Sequence, residues 1–176
     1  MNVNKLMGLL LAAGFASTTF AAGQGSGQVE FYGEIIDAPC SVSPDSEDQR
    51  IPMGQVSNKE LDKGKTSVTP RAFNIQLENC SMDTLKSVQV TFAGDPDAKD
   101  ADLLKLVGTA GGAGVKLVDV NNANKAIKLG TATDAIAMVD GDKTLKFAAH
   151  LKGNDVAADV TAGDFTATTT FTLAYQ

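Results

Sequence analysis

The two cysteines of this 176-residue chain are residues whose type and spacing indicate a definite chemistry. Cys40 and Cys80 are the only cysteines, and an even count in an exported chain predicts a disulfide, because export compartments are oxidising. The bridge would close a loop of about 41 residues and stabilise the fold by about 4 kcal/mol on the chain-entropy model. A metal-binding or redox pair is the alternative, but the sequence has no CxxC motif and a single histidine.

The other residues that could support catalysis or bind a cofactor do not form a complete pattern. His150, the only imidazole, is tied by no motif to a nucleophile or a carboxylate and is predicted on the outward face of a strand. Residues 64–66 (GKT) lack the first glycine of a phosphate-binding loop, because Lys59 occupies that position. Residues 95–100 lack the glycine that a calcium loop requires. We therefore predict no catalytic residue, no metal site and no cofactor, and the sequence does not indicate an enzyme.

The first 21 residues are typical of a secretory signal peptide. Lys5 supplies a short basic region, residues 6–14 are apolar, and small residues lead to a cleavage-like site at Ala21. The apolar stretch is too short to span a bilayer, which needs about 20 residues. We therefore predict that residues 1–21 are removed and that the remaining chain is exported.

The charge of the chain excludes some classes of partner. Removing residues 1–21 takes away one basic residue and moves the net charge from −6 to −7. An acidic chain without a basic run argues against nucleic acids and anionic membranes as partners. Because no later segment is apolar for long enough to form a membrane helix, we also predict no direct membrane insertion.

The elements that must position these residues are predicted to be strands. The 17 glycines, the many threonines and valines, and the absence of extended helical periodicity after the signal segment favour an all-β fold. Strands or strand-like segments are predicted at residues 29–35, 50–56, 73–80, 88–92, 115–120, 126–129, 135–139, 145–151 and 163–175. Turn signals between them indicate one β-sandwich domain.

The strands at the two ends of the chain alternate most regularly. Near the C-terminus one face carries apolar side chains and the other carries hydroxyls; the apolar face is Phe165, Ala167, Phe171, Leu173 and Tyr175. Near the N-terminus the apolar face is Val29, Phe31 and Ile35, after a glycine-rich segment. An immunoglobulin-like sandwich needs a further strand after its sixth. If residues 165–175 are the sixth strand, no strand follows, and an open groove remains that an extended segment from another molecule can fill.

Three landmarks in this order resemble a chaperone–usher fimbrial subunit, of the kind found in type 1, P and mannose-resistant fimbriae. The first is the pattern G-x-V-x-F-x-G-x-I-I-x-A-P-C at residues 27–40, and the second is the cysteine pair Cys40 and Cys80. The third is a terminal motif with a glycine, Gly163, and a penultimate tyrosine, Tyr175, twelve residues later. The length and residues 33–40 (GEIIDAPC) are most similar to the major rod-forming subunits.

The resemblance implies an incomplete immunoglobulin-like sandwich that lacks its last strand and is completed by donor-strand complementation. It implies a donor extension at residues 22–33 and a pilin domain at residues 34–176. The expected donor residues are Gly27, Val29, Phe31, Gly33 and Ile35. The expected strand that binds the chaperone or the neighbouring subunit contains Gly163, Phe165, Ala167, Phe171, Leu173, Tyr175 and Gln176.

The implied function is a structural subunit that polymerises head to tail into the shaft of a surface fimbria and so supports adhesion. The implied partners are copies of itself, a periplasmic chaperone, an outer-membrane usher, and tip or adaptor pilins. The chain is then exported through the periplasm and becomes extracellular, on the bacterial cell surface. A minor adaptor or terminator subunit is the alternative that the sequence separates least well from a major one. A tip adhesin of this family usually carries an additional lectin domain, for which this chain has no room.

Overall fold

A computed structural model of the chain describes residues 27–81, 83, 85–154 and 160–176. The predicted signal peptide, residues 1–21, and residues 22–26 of the predicted donor extension lie outside the described residues. Residues from Asp37 to Gln176 belong to one compact unit, whereas residues 27–36 belong to a separate one. The predicted boundary between residues 33 and 34 stays a prediction. In the part of the chain that the structure describes, no helix is long and apolar enough to cross a membrane.

Strands dominate the compact unit, as the composition predicted. They are β1 (Ser41–Val42), β2 (Arg71–Cys80), β3 (Ser87–Gly94), β4 (Leu104–Lys105), β5 (Val107–Gly108), β6 (Ala113–Asp119), β7 (Lys125–Ala126), β8 (Ile136–Ala137), β9 (Gly141–Gly153), β10 (Phe165–Thr166) and β11 (Thr169–Tyr175). The larger sheet has the order β1-β2-β9-β6-β4, with β7 added beside β6. A second sheet has the order β11-β3-β8, and β10 pairs with β5. All of these pairs are antiparallel, which is typical of a β-sandwich.

The helices are single turns in loops that the sequence pattern left without regular structure. They are α1 (Pro44–Glu47), α2 (Asn58–Leu61) and two 3₁₀ turns, Asp62–Gly64 and Val120–Asn122. Pro44 occupies a first-turn position, where its missing N–H leaves no bond unmade. The Ser57 hydroxyl caps α2 by accepting a hydrogen bond from the Lys59 N–H at 3.3 Å.

One predicted strand is wrong for this chain, because residues 50–56 contain no assigned strand. Residues 29–35 contain no assigned strand in the single chain either, but they are expected to pair with another copy, so the donor strand stays a prediction. Alternation of apolar and polar residues describes which face a side chain takes, but a strand also requires a neighbouring backbone with which to pair. Neither segment has such a neighbour among the described residues.

The core lies between the two sheets and is built around three phenylalanines. Phe92 of β3 contacts Phe147 of β9 edge to face, with ring centroids 5.0 Å apart. Phe73 of β2 lies 6.0 Å from Phe92 and 5.7 Å from Phe147. Phe92 and Phe147 are almost completely buried, whereas Phe73 is half-buried. The cluster therefore joins the two sheets and leaves one ring partly uncovered.

The disulfide between Cys40 and Cys80 is formed, and both residues are buried. It joins the residue that precedes β1 to the last residue of β2, with the two Cα atoms 4.2 Å apart. The Ser81 N–H donates to the Pro39 carbonyl oxygen at 2.9 Å beside it. The start of the compact unit is thus fixed covalently to the larger sheet.

Candidate strand-binding groove

A long groove of about 1030 Å³ opens into the core of the compact unit. Two stretches of chain line it, residues 46–56 and residues 160–169, and buried or half-buried core side chains form its floor. The core side chains in the lining are Leu61, Phe73, Ile75, Phe92, Leu104, Leu106, Ala113, Val115, Leu117, Leu151 and Phe171. An extended groove with an apolar floor fits an extended peptide better than it fits a compact small molecule.

The strand β11 has one paired edge and one open edge. Gln176 and Ser87 exchange two backbone hydrogen bonds, each N–H donating to the other carbonyl oxygen at 2.9 Å. Bonded and non-bonded pairs alternate in an antiparallel ladder, so the even-numbered residues from 170 to 176 direct their backbone groups toward β3. The odd-numbered residues from 169 to 175 direct theirs to the opposite edge, where no strand pairs with them among the described residues.

The side chains of the same odd-numbered residues face the core. Each residue at an odd position from 165 to 175 is half-buried, and each even-numbered residue from 166 to 174 is exposed. The half-buried residues that pack against the core are Phe165, Ala167, Phe171, Leu173 and Tyr175. One set of residues therefore combines unpaired backbone groups with an apolar face, which is the arrangement that strand addition uses.

The predicted single strand at residues 163–175 is divided in the structure. Ala167 and Thr168 have no strand assignment, because β11 pairs with β3 only as far as Gly94, and β10 pairs with β5. A Cβ atom on Gly94 would lie 2.8 Å from the Thr168 carbonyl oxygen, so this glycine permits the close approach at the break. The division leaves the predicted alternation of faces intact on both sides of the break.

Two glycines allow the start of this terminal segment to lie against its neighbour. A Cβ atom on Gly163 would lie 2.5 Å from the Ala110 nitrogen. Gly108 has a φ of +151°, and a Cβ atom there would lie 2.2 Å from the Asp164 carbonyl oxygen. That oxygen accepts hydrogen bonds from the N–H groups of Thr109 and Ala110, so the contact is backbone against backbone. Only glycine fits at such approaches.

We expect Gly108→Ala to lower the stability of the chain by about 2 kcal/mol or more, because the clash is with backbone that cannot move aside and the φ value is unfavourable. Thermal unfolding followed by circular dichroism measures the change. Gly111→Ala is the matched control, since its Cβ atom would meet nothing closer than the Thr161 Cβ at 3.9 Å. Equal melting temperatures for the two variants would contradict the expectation.

Tyr175 is the last of the half-buried odd-numbered residues of the terminal segment, and it carries a hydroxyl. Its hydroxyl oxygen is buried and makes no hydrogen bond among the described residues. Burial raises the pKa of the Tyr175 hydroxyl above its usual range, because the low-dielectric surroundings disfavour the phenolate. The side chain therefore stays neutral and acts as an apolar anchor at neutral pH.

The predicted donor residues present exposed apolar side chains. The exposed fractions are 75% for Val29, 92% for Phe31 and 102% for Ile35. Large apolar side chains exposed close together often mark a site that a partner covers. Gly27 and Gly33 lie in the same exposed segment, and a Cβ atom on either would meet nothing within 4 Å.

The residues set aside as incomplete motifs have structural contacts. His150 is half-buried rather than free on an outward face, and its Nδ1 lies 2.9 Å from the Ser67 carbonyl oxygen. Asp100 accepts a hydrogen bond from the Lys152 ammonium at 2.7 Å, which holds the pKa of that carboxyl below its usual range. Across residues 27–81, 83, 85–154 and 160–176, no three metal-ligating side chains form a cluster.

Comparison with known proteins identifies the family of this chain. The fimbrial protein family matches residues 29–176. The chain belongs to the fimbrial protein family. It is 50% identical to the Fimbria A protein of Serratia marcescens and 45% identical to the Major MR/P fimbria protein of Proteus mirabilis, with 100% of both chains covered in each case.

Solved structures of fimbrial proteins share the fold. A chain of a chaperone–usher pilus is 33% identical, with a TM-score of 0.76, over 87% of this chain and 97% of its own. The P pilus rod subunit PapA is 31% identical, with a TM-score of 0.69, over 79% of this chain and 100% of its own. The predicted family and the predicted incomplete immunoglobulin-like sandwich are confirmed, and the protein is a structural fimbrial subunit.

Sequence reasoning located one side of the groove in this fimbrial subunit and missed the other. The odd-numbered residues of the terminal segment were found from their alternation. The sequence predicts a strand at residues 50–56 and gives no indication that this segment lines a groove. Pro52 and Gly54 are the signal that could have excluded a strand there, since both interrupt a backbone ladder.

Proposed function

We propose that this fimbrial subunit is the major shaft subunit and that it polymerises by donor-strand exchange. Residues 22–33, continued by Ile35, act as the donor segment of one copy and enter the groove of the next copy. The observation that carries the proposal is the open edge of β11, where unpaired backbone groups and half-buried apolar side chains belong to the same residues. The backbone supplies hydrogen bonds, and alternate donor side chains fill the groove.

The donor segment and the groove are complementary in chemistry. Val29, Phe31 and Ile35 are exposed in the free chain, and burying side chains of this kind yields about 1.5 to 3 kcal/mol each. Glu30 and Glu34 alternate with them and would remain in solvent. Because donor and groove lie on the same chain, copies joined this way form an open, head-to-tail filament.

A periplasmic chaperone would protect the groove before assembly, and an outer-membrane usher would exchange its strand for the donor of the next copy. Two features support a temporary occupant: the open edge of β11 is an aggregation hazard, and the apolar row along it is only half-covered. We assign the binding strand to Gly163, Phe165, Ala167, Phe171, Leu173, Tyr175 and Gln176. The assembled protein is then extracellular, in a fimbria on the cell surface.

The relatives favour a major subunit over an adaptor or terminator. The Proteus mirabilis relative is named as a major fimbria protein, and PapA is named as a rod subunit. The P pilus adaptor subunit PapF is only 14% identical, so its TM-score of 0.50 supports the fold alone. A shaft built from copies of one chain requires each copy to carry both a donor and a groove, and this chain offers candidates for both.

We expect deletion of residues 22–31, with the signal peptide left intact, to abolish surface filaments, because the groove of one copy would then find no donor on the next. Electron microscopy of cells that express the variant as their only fimbrial subunit measures this. A matched variant, Glu30→Gln with Glu34→Gln, alters only the outward face and should still form filaments. Filaments assembled from the deletion variant would contradict the proposed donor.

A further inference from the structure

The groove wall opposite β11 is formed by residues 49–56, here called the wall segment, and it lacks a backbone ladder. Its residues have no assigned helix or strand, and all of them line the groove. Within the described part of the chain, no backbone-to-backbone hydrogen bond involves the wall segment. Something other than a ladder must therefore hold this wall at its distance from the sheet.

Side chains take the place of the ladder along the outer edge of β2. Just before the wall segment, the Ser46 hydroxyl oxygen accepts from the Gln76 N–H at 2.9 Å. Within it, the Gln49 Nε2 donates to the Asn74 carbonyl oxygen at 2.8 Å. From Ser46 to Gln49 the residue numbers rise, while those of their partners in β2 fall from Gln76 to Asn74. The wall segment therefore runs antiparallel to β2, and side chains rather than backbone groups connect the two.

The third contact between β2 and the wall segment lies farthest along the wall segment, and the guanidinium of Arg71 makes it. The Arg71 Nε donates to the Met53 carbonyl oxygen at 3.0 Å. Gly54 has a φ of +71°, and a Cβ atom there would lie 2.7 Å from the Arg71 Nη2, so the guanidinium lies directly against the glycine backbone. A charged donor makes a stronger hydrogen bond than a neutral one. Among the contacts that hold the part of the wall segment after Gln49, the hydrogen bond from Arg71 is therefore the strongest.

We infer that Arg71 is a positioning residue that fixes the wall segment at the separation a donor strand needs. This inference rests on the proposed function, because it concerns how the groove receives a strand. The apolar anchors of the wall, Met53 and Val56, are only half-buried and have no ladder to support them. A wall that is already in place spares the incoming strand the entropy of ordering it, and so raises the rate at which the strand binds.

The test measures uptake of a synthetic peptide of residues 22–36 by the monomer, with association and dissociation rates taken separately. We expect Arg71→Ala to slow association about tenfold, which corresponds to about 1.4 kcal/mol. Arg71→Lys keeps a charged donor and should recover part of the rate. A variant Arg71→Ala that binds at the wild-type rate overturns the inference.

A glycine pair separates positioning from general loss of stability. Gly54→Ala introduces a Cβ atom against the guanidinium, whereas Gly130→Ala has the same φ of +71° with nothing within 4 Å. Because the guanidinium is the end of a flexible side chain and can shift, Gly54→Ala should slow association less than Arg71→Ala does, whereas Gly130→Ala should leave the rate unchanged. A rate that falls more in Gly130→Ala than in Gly54→Ala overturns the inference, because backbone strain alone would then account for the change.

Limited proteolysis of the free chain distinguishes failure of this inference from failure of the proposed function. We expect trypsin to cleave after Arg50 faster in Arg71→Ala than in the wild type, because cleavage requires the wall segment to leave the sheet locally, while Lys146 and Lys152 within β9 stay resistant. If the wild type itself does not take up the peptide, the proposed function fails, and the cleavage rate still decides whether Arg71 holds the wall. An unchanged rate of cleavage after Arg50 counts against it.

Discussion

A synthetic peptide of residues 22–36 should raise the melting temperature of the monomeric fimbrial subunit by about 8 °C at saturation. A ligand that binds only the folded state stabilises it by about 2.7 kcal/mol at about 100 times its Kd. For a domain of this size, each kcal/mol moves the melting temperature by about 3 °C. The effect is large because the peptide supplies what the fold lacks: a strand for the open edge of β11 and apolar cover for the groove.

Two altered peptides define the specificity of that result. A peptide with Val29→Asp and Phe31→Asp places two charges on the face that enters the groove, and should produce no shift, because burying an unpaired carboxylate is unfavourable. A peptide with Glu30→Gln and Glu34→Gln changes only the other face and should act like the natural sequence. Thermal unfolding followed by circular dichroism measures all three, and equal shifts for the aspartate peptide and the natural one would refute donor-strand completion.

The fold class of this protein could be predicted from sequence because its signals are local. Alternating apolar positions found β2, β3, β9 and the terminal segment, each of which has an apolar face on the core. The segments at residues 29–35 and 50–56 carry a similar alternation without forming strands, because neither has a pairing partner among the described residues. The alternation in the sequence predicts which face of a strand each side chain takes. Whether a hydrogen-bonded ladder forms depends on the strands that lie beside the segment in the folded protein.

The groove itself was only half predictable for the same reason. The apolar row of β11 is continuous in sequence and could be read directly from residues 165–175. The opposite wall depends on Arg71 and Asn74, which are about 20 residues away in sequence from the carbonyl and amide groups that they meet. Contacts between a side chain and a distant irregular backbone leave no periodic trace. The break at Ala167 and Thr168 depends on where β3 ends, and therefore also on the tertiary structure rather than on the local sequence.

Replacing both cysteines, Cys40→Ala with Cys80→Ala, should destabilise the subunit by about 4 kcal/mol and sharply reduce its periplasmic level. The bridge spans 40 residues of sequence separation, and β1 contributes only two residue pairs to the sheet on the same side. Alanine keeps both buried positions apolar, so the change removes the constraint and little else. Proteins of this size are stable by only about 5 to 15 kcal/mol, and a sandwich with an open groove starts near the lower end.

The effect of the disulfide should extend to the groove, because the wall segment begins nine residues after Cys40. Without the bridge, the contacts with β2 that hold the chain from β1 to Met53 include the two β1 pairs and the hydrogen bond from the Ser43 N–H to the Gln76 carbonyl oxygen. The side-chain contacts of Ser46, Gln49 and Arg71 add to them. We therefore expect the double alanine variant to bind the peptide of residues 22–36 more weakly, and saturating peptide to restore part of its melting temperature. Denaturant titration with and without peptide measures both effects. A variant within about 1 kcal/mol of the wild type would show that the side-chain contacts alone fix this wall.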